Sequence, residues 1–153
     1  KIDMSELLGF VCDEQEEIHD GDITMERDIE PCVYVVADHM LIARMFINLI
    51  SNAYSYGKPG GTVKVSLRGE GNKVIVNVSD DGIGIARENL PKIWERFYQV
   101  DSSRNNERGS LGLGLSMVKW IAEAHGGAVN VRSRQGEGAE FIFTLPCQAA
   151  PQE

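Results

Sequence analysis

Apolar residues recur at intervals of three and four in three stretches of this chain and alternate with polar ones in several others. Met4, Leu7, Leu8, Val11 and Cys12 predict a first helix over 3–17, which His19-Asp20-Gly21-Asp22 breaks. Ile23, Met25, Arg27 and Ile29 then alternate, and 33–37 is a short run of valines with Tyr34, so two strands joined by a turn at Pro31 are expected. Asp38 is placed to cap a long helix from 39 to about 55, along which Leu41, Ile42, Met45, Phe46, Leu49, Ile50 and Ala53 form a broad apolar face. The segment 57–61, G-K-P-G-G, stops it. Strands over 62–68 and 73–80 follow, with Gly69 to Asn72 as their hairpin turn. Residues 86–108 are polar and aromatic with little period, and a short helix from Leu90 to Arg96 is the most they predict. A last helix over 114–125 carries Leu115, Val118, Ile121 and Ala122 and ends at Gly126-Gly127. Strands over 128–134 and 139–145, turning at Gln135-Gly136, complete the chain before a frayed tail at 148–153. The sum is one α+β domain over 1–147, a two-layer sandwich with a mixed sheet and helices on one face.

With 42% hydrophobic residues among 153, the chain is long enough for a real core. Its net charge of -8 leaves no basic face for a nucleic acid. Cys12, Cys32 and Cys147 are odd in number and far apart, which fits neither a disulfide framework nor a zinc site and points to a reducing, cytoplasmic setting. No apolar run approaches the roughly 20 residues of a membrane span.

Three polar constellations break the pattern. Val74, Val76 and Val78 share one face of their strand, and the next residue of that face is Asp80. A buried carboxylate needs a donor, and Gly82-Ile83-Gly84-Ile85 brings no basic side chain. A ligand with a donor edge, such as the amino group of adenine, would supply one; a plain Asp-Gly strand exit is the alternative. On the long helix, Arg44, Asn48, Asn52 and Ser55 form a narrow stripe roughly opposite the apolar face. Asparagine carbonyls are hard oxygen ligands suited to magnesium when phosphates supply the rest, although a solvated face would look the same. Glycines at 109, 112 and 114 lead into a helix start, which suits phosphate oxygens, while 94–99, W-E-R-F-Y-Q, fits either rim packing or closure over a ligand.

Taken in order, N-L-I-S-N-A at 48–53, S-D-D-G-I-G-I at 79–85, W-E-R-F-Y at 94–98, G-S-L-G-L-G-L-S at 109–116 and G-E-G-A-E-F at 136–141 resemble the catalytic ATP-binding domain of sensor histidine kinases. That family belongs with the gyrase, chaperone and mismatch-repair ATPases. The resemblance runs from about Asp3 to Pro146 and implies a Bergerat-type fold with a mostly antiparallel sheet. It implies that Asp80 binds the adenine amino group, Asn52 holds Mg2+ against the phosphates of ATP, and Tyr56 packs near the nucleotide. Gly82, Gly84 and Ile85 would shape the pocket. Gly109, Ser110, Leu111, Gly112, Leu113, Gly114 and Leu115 would line the phosphate end, beneath a lid over 97–111 that includes Phe97.

Asn48 and Arg96 are the catalytic positions it implies. ATPases of this superfamily that do conformational work resemble one another in having Glu four residues before the magnesium Asn, as a general base for water. An amide at 48 cannot take that proton, which leaves the γ-phosphoryl group for a His on a separate dimerisation domain, and through it for a response regulator. His19, His39 and His125 lack the surroundings of such an acceptor. The chain therefore reads as a monomeric fragment of a homodimeric parent, either soluble or membrane-anchored. Four positions depart from the commoner pattern: Ser55 where Lys often meets phosphate, Gln99 where Arg often does, Leu111 for Thr, and Ala139 where Thr or Ser often supports the adenine-binding Asp. Lys58, Arg96, Arg104 or Arg108 are the candidates to replace the missing cations. A nucleotide-binding regulatory module without phosphotransfer is the competing expectation, motivated by Ser55 and Gln99.

Overall fold

The computed structural model describes residues 2–19, 21–85, 87–94, 114–134 and 136–146. An aspartate opens each of its first two helices. Asp3 Oδ1 accepts from the Glu6 N–H at 3.0 Å and Asp38 Oδ1 from the Leu41 N–H at 3.0 Å. Both α1 (Met4–Ile18) and α2 (His39–Tyr56) thus start where a side chain satisfies a donor that the helix itself cannot. Gly57 ends α2 in extended backbone, as the 57–61 segment predicts. The third helix, α3 (Gly114–Ala124), matches the expected 114–125.

Five strands make the main sheet. In spatial order they are β2 (Thr24–Ile29), β4 (Thr62–Glu70), β5 (Lys73–Asp80), β7 (Ala139–Pro146) and β6 (Ala128–Ser133). Every pairing is antiparallel except β2 with β4, where α2 provides the crossover that a parallel neighbour requires. Alternate residues of the central strands point at the helices: Val63, Val65 and Leu67, then Val74, Val76 and Val78, then Phe141, Phe143 and Leu145 are all buried. They meet Ile42, Met45, Phe46, Leu49 and Ile50 of α2 and Val118, Ile121 and Ala122 of α3 in one core. The opposite face carries Lys64, Ser66, Asn77, Ser79 and Glu140 and, among the described residues, no α-helix. This is the expected two-layer α+β sandwich.

Two expectations change in detail. The turn at Pro31 separates two strands but does not fold them together. Met4 N–H donates to the Val33 carbonyl at 2.8 Å, and Ser5 Oγ accepts from the Val33 N–H at 3.0 Å, so the start of α1 captures the chain there. A short strand, β3 (Tyr34–Val35), consequently pairs with β1 (Ile2–Asp3) in a separate two-stranded sheet. The helix expected over Leu90–Arg96 is a 3-10 turn over Arg87–Lys92, with Pro91 inside it. Proline has no N–H to give to a longer helix, and Arg96 lies outside the described residues.

Candidate functional site

Asp80 is the last residue of β5 and is only 9% exposed, on the same face as the buried valines. Its carboxylate is not without a partner: Oδ1 accepts from the Gly82 N–H at 2.8 Å. Burial still dominates. It pushes the carboxyl up from 3.8 to about 6, and the adjacent Asp81 charge pushes the same way, while the backbone N–H groups of Gly82 and Ala139 pull it down. Asp81, one residue on, has a different task. Its carboxylate accepts from the Thr62 N–H at 3.1 and 3.3 Å and so ties the loop to the start of β4.

The loop after Asp80 is pressed against the end of α2. Ile83 N–H donates to the Tyr56 carbonyl at 3.1 Å, and a Cβ added at Gly82 would lie 1.7 Å from that same oxygen. Only glycine fits there. Gly84 has φ +70, and its missing Cβ would meet the Arg134 carbonyl at 2.0 Å, so the loop is wedged between α2 and the β6–β7 hairpin. Ile85 is buried at its end.

This docking sets the C-terminal end of α2, at Tyr56 and Gly57, against the loop that follows Asp80. Asn52 stands one helical turn before Tyr56, about 6 Å along the axis, and Asn48 a further turn back. The stripe they belong to is less open than a surface face. Arg44 is exposed, but Asn48, Asn52, Ser55 and Tyr56 are half-buried. The Asn52 side chain ends in an amide oxygen, a hard ligand of the kind magnesium accepts. No group of three His, Cys, Asp or Glu able to hold a metal occurs among the described residues. Lys58 is exposed in the loop 57–61, next to Gly61 and Asp81.

α3 packs on α2. Asp38 N–H donates to His125 Nε2 at 3.0 Å, which sets the end of α3 beside the start of α2. Leu115 is half-buried against the core. Trp94 packs edge-on to Phe141 at 5.9 Å with the Lys119 ammonium 6.0 Å from its ring, so this member of the aromatic cluster is rim packing. Arg96, Phe97, Gln99, Arg104, Arg108, Gly109, Ser110, Leu111, Gly112 and Leu113, the expected lid and most of the glycine segment, lie outside the described residues. So do the tail 148–153, Cys147 and Gln135 of the last turn.

An opening of about 660 Å³ at this end of the sheet is lined by Asp80, Ala139, Ser133, Gly138 and Leu90 together with Ser79 and Glu140 of the open sheet face, and Asn48, Asn52 and Tyr56 do not line it. Ser133 is the residue that the sequence reading missed. Its hydroxyl accepts from the Ile85 N–H at 2.7 Å and donates to the Gly138 carbonyl at 2.7 Å. The signal was present: Val129, Val131 and Ser133 share one strand face, a polar residue ending an apolar row just as Asp80 does.

Comparisons with known proteins agree with this architecture. Residues 37–149 match the family described as histidine kinase-, DNA gyrase B- and HSP90-like ATPase. The sensor-like histidine kinase SenX3 of Mycobacterium tuberculosis is 37% identical over 126 residues, 82% of this chain and 31% of its own length. Sensor histidine kinase YclK of Bacillus subtilis is 40% identical over 127 residues, 81% of this chain and 26% of its own. The chain thus spans about a third or less of these relatives. Among solved structures, the mycobacterial sensor histidine kinase MprB superposes with a TM-score of 0.82 at 27% identity, covering 95% of each chain. Full-length ShkA in complex with AMPPNP does so with a TM-score of 0.81 at 29% identity, over 99% of this chain and 32% of that one. Among the described residues no helix is long and apolar enough to cross a membrane.

Proposed function

Since the chain belongs to the histidine kinase-, DNA gyrase B- and HSP90-like ATPase family, as the ATPase domain of a sensor histidine kinase, we propose that it binds Mg-ATP and donates the γ-phosphoryl group to a histidine on a separate dimerisation domain of its parent protein. The observation that carries this reading is Asp80. A carboxylate held in a buried position at a cost, with one oxygen engaged by Gly82, is poised to accept from a ligand's amino group. Adenine offers such a group, and the structural neighbour ShkA is solved in complex with AMPPNP.

The remaining roles follow along α2 and α3. Asn52 holds Mg2+ through its amide oxygen, and the bound ion supplies charge neutralisation at the phosphates. Tyr56, Gly82, Gly84 and Ile85 shape the base pocket, and Gly114 and Leu115 at the start of α3 meet the phosphate end, where N–H groups and the helix dipole favour anions. Asn48 leaves water unactivated, so the phosphoryl group is kept for the histidine acceptor. Arg96 and Lys58 are the cations assigned to the phosphates in place of those absent at Ser55 and Gln99. Catalysis in this domain is positioning and electrostatics rather than covalent chemistry. The acceptor domain, a response regulator receiving the phosphoryl group from it, a dimeric parent and a cytoplasmic location complete the proposal, with this domain over 1–147.

The test joins this chain to the native helical domain and supplies labelled ATP with magnesium. Acid-labile phosphate on histidine is the expected product. Tight ATP binding without transfer, despite an intact acceptor, would replace the kinase reading with a regulatory nucleotide-binding module.

A further inference from the structure

Asp80, Ala139 and Ser133 occupy one cross-strand rung at the very end of the sheet, Asp80 paired with Ala139 and Ala139 with Ser133. Beyond that rung the 81–85 loop lies on the β6–β7 hairpin at two points. One is backbone only, Gly136 N–H donating to the Ile83 carbonyl at 2.6 Å. The other runs through a single side chain, the Ser133 hydroxyl, which takes the Ile85 N–H and gives its proton to Gly138. Ile85 is buried and its N–H bond to Ser133 is part-buried, and a hydroxyl is the smallest side chain able to accept and donate at once.

We propose that Ser133 is a positioning residue for the adenine end of the site, fixing the loop that follows Asp80, and with it the Gly82 N–H that orients the Asp80 carboxylate. The inference rests on the reading of Asp80 as the adenine acceptor. It places Ser133 outside the set that touches nucleotide: the hydroxyl acts through Ile85 and Gly138, two strands from Asp80. Removing it leaves the Gly136 to Ile83 tie intact, so the loop shifts without being released.

The experiment measures ATP and GTP affinity for wild type, Ser133→Ala and Ser133→Thr, with thermal melting of each. Ser133→Ala is expected to weaken ATP about three- to tenfold while leaving GTP, which lacks the amino group at that position, nearly unchanged. The adenine preference therefore shrinks, and Ser133→Thr, which keeps the hydroxyl, restores it. A Ser133→Ala chain that melts lower but keeps the wild-type ratio of ATP to GTP affinity assigns the hydroxyl to stability alone and overturns the inference. A wild type with no adenine preference overturns the Asp80 reading, and the inference with it.

Discussion

At neutral pH the Asp80 carboxylate is a charge that the empty fold carries at a cost. Its carboxyl is raised from 3.8 to about 6, chiefly by burial, so the folded chain binds the proton more tightly than the unfolded one. Below pH 4 both states are protonated and there is no cost; between 4 and 6 it grows; above 6 it is fully present, on the order of 3 kcal/mol. Asp80→Asn keeps an oxygen for the Gly82 N–H and removes the charge. It is expected to stabilise the ligand-free chain at pH 7 by about 1–3 kcal/mol in urea unfolding, an advantage that disappears near pH 4. The same substitution turns an NH2 toward the adenine amino group and should weaken ATP by tenfold or more in a direct binding titration. Wild-type affinity for ATP should itself decline as pH falls through about 6, where Asp80 gains its proton. Stability and binding are set against each other at this one residue, as functional sites often require.

At the scale of elements, α2 carries two tasks on two faces. Ile42, Met45, Phe46, Leu49 and Ile50 fill the core, and Asn52 and Asn48 stand half-buried one and two turns before Tyr56, whose carbonyl holds the 81–85 loop. Asn52→Ala leaves the core face alone and should abolish the magnesium dependence of ATP binding; titrations with and without EDTA that still differ would count against its ligand role. The core face of α2 was legible because seven apolar residues repeat at three and four, and the valines of β5 because alternation over eight residues leaves one register. The pairing of β1 with β3 was not legible, since two-residue strands have no period. Nor does alternation distinguish the parallel β2–β4 neighbours from antiparallel ones. Asp80 stood out against Val74, Val76 and Val78, whereas Ser133 acquires its role from a loop 48 residues away in sequence. The docking of the 81–85 loop on Tyr56 likewise depends on a backbone approach that a glycine permits but does not announce.

For the molecule as a whole, one substitution tests which branch of the superfamily chemistry it follows. Asn48→Glu installs a carboxylate one turn before Asn52, where it can accept a proton from water. ATP hydrolysis by the isolated domain is expected to rise about tenfold or more, read as phosphate release, with transfer to the histidine domain falling in proportion. An unchanged rate would mean that water has no access to that side of the phosphates.

The position of β5 in the sheet has a consequence for how the protein comes into being. Its partner on one side, β4, precedes it in the chain, but its partner on the other, β7, begins only at residue 139. While the chain is being synthesised, β5 therefore waits as an open edge bearing Val74, Val76 and Val78, the kind of edge that recruits foreign strands. Asp80 closes that edge's row with a charge. Until β7 and Ser133 arrive, the carboxylate that later burdens the finished fold is a solvated guard at the tip of its most adhesive strand.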